Sequence, residues 1–74
     1  MTLADLKPGD SARVLDFAGD DVVIQRLLEM GLTDGEVVEV VRFAPMGDPM
    51  ELKVRGYHLS IRKRDAACVL VERP

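Results

Sequence analysis

The sequence predicts a mainly β fold: about five short antiparallel strands, curled until the sheet closes on itself, with one short α-helix inserted after the first strand. Three observations predict it. The 74 residues suffice for one hydrophobic core and not for two, so residues 1–74 are expected to form a single domain. Alternating or β-branched apolar runs recur at short intervals between glycine- and proline-bearing turns. Only one segment carries a clear apolar stripe at spacings of three and four.

Each element has a local cause. Thr2 and Asp5 have capping-box spacing, which predicts a single helical turn at the start. Lys7-Pro8-Gly9-Asp10 punctuates the chain before a strand over Ser11–Ala18, where Ala12 and Val14 face one way and Leu15 and Phe17 the other. The helix is expected over Asp21–Met30, with Asp20 as acceptor for its first amides and Gly31 ending it. Val23, Leu27 and Met30, flanked by Ile24 and Leu28, form its apolar face, and a helix this short must pack on the sheet to persist.

After a turn at Thr33-Asp34-Gly35, the β-branched run Glu36–Phe43 reads as a strand. Ala44–Pro49, with two prolines and a glycine, reads as an irregular loop. Met50–Arg55 and Tyr57–Arg62 form a hairpin about Gly56 with clean period two. Lys63-Arg64-Asp65-Ala66 is expected to bend, as a single 3₁₀ turn, into a last strand over Ala67–Glu72. Sheet closure is the expected solution to the exposed-edge problem.

Hydrophobic residues at 47% and charged residues at 31% describe a globular chain. The lone Cys68 closes no intrachain disulfide, which favours the cytoplasm. Residues Met1–Pro8 lack the basic start and apolar run of a signal peptide. No run approaches the roughly 18 apolar residues of a membrane span. Any membrane association is therefore expected to run through a partner, without direct insertion. The formal charge of −3 argues against a broad phosphate-binding face.

Motifs for chemistry are sparse. No phosphate loop or dinucleotide fingerprint occurs among the six scattered glycines, and no cofactor is expected. His58 and Cys68 are the only residues of their types, with no third group assigned to orient a Cys–His pair. His58 lies on the polar rhythm of the hairpin, as a solvated or partner-facing side chain, and Cys68 reads as a small buried thiol. Asp20-Asp21 and Glu36/Glu39 supply oxygens without calcium-loop spacing, and Met46 and Met50 supply only thioethers, so metal ligands stay unassigned. No catalytic set emerges, and the chain reads as a binding domain and not an enzyme.

Two surfaces are candidates for partner contact. One is the basic patch of Arg62, Lys63 and Arg64 with Lys53, Arg55 and His58 on the hairpin; it fits a solvated face, a protein contact or, with Tyr57, a nucleic-acid contact. The other combines the loop Ala44–Pro49, carrying Met46 and Asp48, with neighbouring Arg42 and Phe43 and with Met50 beside it; Met46 and Met50 suit either an adaptable interface or core filling.

Four ordered runs resemble one family: Leu3-Ala4-Asp5-Leu6-Lys7-Pro8-Gly9; Arg26-Leu27-Leu28-Glu29-Met30-Gly31-Leu32-Thr33-Asp34-Gly35; Ala44-Pro45-Met46-Gly47-Asp48-Pro49; and Gly56-Tyr57-His58-Leu59-Ser60-Ile61-Arg62-Lys63 with Ala66. Together they resemble the FeoA-type domain of bacterial ferrous iron transport over essentially the whole chain. The resemblance implies an SH3-like barrel with an inserted helix. It further implies a non-enzymatic cytoplasmic accessory that binds or regulates a membrane ferrous iron permease carrying a cytosolic GTPase domain, with no catalytic residues to carry over. Influence on GTP hydrolysis through Arg26 or Arg64, intrinsic metal sensing, a protein-contact or metal-sensing module of an iron-dependent repressor, a nucleic-acid-binding barrel and homo-oligomerisation are the other readings.

Overall fold

The computed structural model describes residues 1–73; Pro74, the last residue of the expected domain, lies outside the described residues. Strands β1 (Ser11–Phe17), β2 (Val37–Phe43), β3 (Met50–Val54), β4 (Tyr57–Ile61) and β5 (Val69–Glu72) start and stop within two residues of their expected bounds. At the start, the Thr2 N–H donates to Asp5 Oδ2 at 2.8 Å and the Asp5 N–H to the Thr2 carbonyl at 3.0 Å. This fixes a 3₁₀ turn over Leu3–Asp5 that inserts Leu3 into the core, with Leu6 following.

Helix α1 covers Asp21–Glu29, with Asp20 Oδ1 accepting the Val23 N–H at 2.9 Å. The expected stripe of Val23, Leu27 and Met30 faces the core, but the flanking Leu28 does not join it. Leu27 is fully buried, whereas Leu28 is 37% exposed and Val22 lies open to solvent. The helix thus meets the core through fully buried Leu27 with Val23 and Met30 packed beside it, and the large truncation cost expected of a buried leucine belongs to Leu27. Residues Lys63–Ala66 form an α-helical turn, α2, and not the expected 3₁₀ turn. The Ala66 and Ala67 N–H groups both reach back four residues, to the Arg62 and Lys63 carbonyls at 2.9 Å, and Ala66 packs into the core.

All five strands belong to one antiparallel sheet in the order β4-β3-β2-β1-β5. The expected closure into a barrel is not realised, because β4 and β5 stand at opposite edges without pairing. The N-terminal segment takes the position beside β5: Thr2 bridges Leu70, and the Val71 N–H donates to the Met1 carbonyl at 3.0 Å. Bulges between Val14 and Asp16 and between Val40 and Arg42 bend the central strands around the core. That core joins Val38, Val40, Leu52 and Val54 from the sheet with Leu3, Leu27 and Leu32 from outside it, and no polar or charged residue is buried among the described residues.

Candidate functional site

The β3–β4 hairpin turns through Arg55 at φ +47° and Gly56 at φ +84°. Positive φ at both central residues gives the twist that matches two paired strands, and glycine supplies one of them without strain. The ladder then sets His58 opposite Lys53 and Ile61 opposite Met50. Candidate residues accordingly gather at the two ends of β4, roughly 13 Å apart for five residues in an extended strand.

At the turn end stand Arg55, His58 and Lys53, all exposed. Arg55 Nε lies 3.3 Å from Glu36 Oε1, and the Tyr57 hydroxyl donates to the Met30 carbonyl at 3.1 Å. Gly31 lies under that hydroxyl with φ +96°, and a Cβ there would overlap it. Tyr57 thereby ties the end of α1 to the start of β4. Sequence reasoning missed this tether, since neither residue signals the other across 27 positions.

At the other end the loop between β2 and β3 meets α2. The Ala44 N–H donates to the Pro49 carbonyl at 2.9 Å and the Gly47 N–H to the Ala44 carbonyl at 2.7 Å, holding the loop that presents Met46 at 93% exposure. Asp48 Oδ1 accepts the Lys63 N–H at 2.9 Å, and its Oδ2 lies 3.8 Å from Arg62 Nη1. Asp48 is thus a clamp between loop and helix that brings Met46, Arg62 and Lys63 into one region. Lys63 Nζ sits 4.2 Å from the Phe43 ring centroid, a cation–π contact. Arg64 is exposed and makes no ion pair among the described residues.

Met50 is a correction. It is fully buried in the core and offers nothing to a partner. Its strand phase, shared with Leu52 and Val54, carried that signal. Arg26 is engaged as well, with Nη2 at 3.2 Å from Asp65 Oδ1. Cys68, expected buried, is half-buried with its thiol facing Gly19 and the Arg64 carbonyl, 3.7 Å away. His58 on β4 and Cys68 just ahead of β5 lie toward opposite edges of the sheet, so the two do not form a pair. Among the described residues no three His, Cys, Asp or Glu side chains converge as metal ligands, and no helix is long and apolar enough to cross a membrane.

Known proteins share this fold. The chain is 39% identical over 72 residues to an Fe(2+) transport protein A/Fe(2+) transporter FeoB fusion protein of Porphyromonas gingivalis, a match covering 97% of the chain. The chain spans only 8% of that relative's length. The solution structure of a FeoA-like protein from Clostridium acetobutylicum superposes with a TM-score of 0.91 at 33% identity, covering 99% of this chain and 85% of that one. The FeoA protein from Chlorobium tepidum gives 0.89 at 40% identity, covering 99% and 70%. The family model described as the FeoA domain matches residues 1–73, and the chain belongs to the FeoA domain family.

Proposed function

We propose that this chain is a non-enzymatic cytoplasmic accessory of ferrous iron uptake that docks on a membrane ferrous iron permease carrying a cytosolic GTPase domain. The fusion relative carries the proposal, because there a FeoA unit and a FeoB transporter are one polypeptide. Covalent linkage holds two modules at effective concentrations in the millimolar range, so even a weak contact is populated. Where a FeoA unit is not so linked, its surface has to supply the same contact. The end of β4 bearing Met46 and the Arg62–Arg64 run is suited to that: an adaptable apolar side chain on a braced loop, set beside positive charge.

Calorimetric titration of this chain into the full-length permease in detergent, with ferrous iron and guanine nucleotide varied, tests the reading. Saturable association is expected, with Met46→Ala and neutralisation of Arg62, Lys63 and Arg64 each weakening it about tenfold, some 1.4 kcal/mol. Absence of association under every iron and nucleotide condition, with both proteins folded, would contradict it.

A further inference from the structure

From the geometry of β4 we infer that its outer edge takes an extended acidic segment of a partner as a sixth strand, an interaction that deepens the docking reading and rests on it. Val54 and Tyr57 close a two-residue hairpin, so these two residues exchange both of their backbone hydrogen bonds. The antiparallel alternation then turns the N–H and C=O of His58 and Ser60 away from β3. No backbone group among the described residues meets them. Both residues are exposed. An open edge of this kind is a template for strand addition, in which backbone bonds supply affinity and flanking side chains supply selectivity.

Charge selects the occupant. From Lys53 to Arg64 the chain holds five basic residues and no acidic one, although its formal charge is −3. Lys53 and Arg64 are free of ion pairs among the described residues, and Lys63 faces an aromatic ring. Basic groups therefore flank both ends of the open backbone. A second copy is a poor occupant: antiparallel pairing of β4 with itself brings the Arg55 end of one strand against the Arg62–Arg64 end of the other. Pairing β4 with β5 of another copy meets an edge already occupied by Met1 and Thr2.

Ser60→Pro isolates the edge. It deletes the outward N–H and leaves the bonds to β3 intact, the situation in which edge strands accept proline. The probe is a synthetic decapeptide alternating Glu and Val, titrated into the whole chain and read by NMR amide exchange. Protection of the His58 and Ser60 amides is expected. Affinity should fall at least tenfold for Ser60→Pro and for a peptide N-methylated at alternate residues, and be unchanged for Ser60→Ala. Failure of the peptide to bind, equal binding by the N-methylated peptide, protection elsewhere, or the same protection from a single-stranded RNA decamer would each overturn the inference. If Ser60→Pro unfolds the chain, the N-methylated peptide still decides it. Permease binding by the wild-type chain is measured separately, so the docking reading stands or falls by itself.

Discussion

Beside β5, the backbone of Met1 and Thr2 lies along the sheet edge, bridging Leu70 and satisfying the Val71 amide, and the 3₁₀ turn that follows buries Leu3 at the end of the core. Beside β4, two residues present backbone groups that meet no partner among the described residues, with basic side chains toward both ends of the strand. One edge is closed from within the chain and the other is uncovered among the described residues. The difference lies in where apolar anchors are available. The N-terminal segment brings two leucines that fix it in place, whereas the sequence after β4 turns at once into α2 and spends Ala66 on the core. An exposed edge costs solubility unless charge or a partner manages it, and the basic residues at both ends of β4 serve as that protection.

Breaking the closed edge should have the largest effect. Leu3→Ala removes the anchor of the N-terminal segment and is expected to lower unfolding free energy by about 2–5 kcal/mol in urea titrations, with faster exchange at Val71. Gly31→Ala acts on the open side: a left-handed φ and an overlap with the Tyr57 hydroxyl together predict a loss of about 1–3 kcal/mol, measured the same way. Tyr57→Phe keeps the ring and removes only the hydrogen bond to Met30, for about 1 kcal/mol, and should loosen the turn end of β4 in NMR relaxation. Met46→Ala, at a side chain almost wholly in solvent, should change stability by no more than about 0.5 kcal/mol while weakening permease binding.

Much of this was legible in the residues. The strands follow from period-two alternation and glycine or proline breaks, and α1 follows from Asp20, its stripe and Gly31. Closure was not legible. Whether the last strand pairs with β4 or with residues at the start of the chain is decided by contacts across some 70 positions, to which local periodicity is blind. The stripe on α1 likewise reports which residues share a face but not how much of that face the sheet covers: Leu27 is fully buried while the flanking Leu28 is 37% exposed. Of the candidate surface, the exposed loop and basic run were readable from turn chemistry and charge. The Asp48 clamp, the Tyr57 tether and the open backbone at His58 and Ser60 arise only once the register is set.

The most direct test of the account is amide hydrogen exchange at His58 and Ser60, followed in the free chain and in the presence of saturating full-length permease. Near-unprotected exchange is expected in the free chain, beside a slow Val71, with strong slowing at both β4 amides when the permease is bound. Slow exchange at His58 and Ser60 in the free chain, or rates unchanged by a permease that is demonstrably bound, would contradict it.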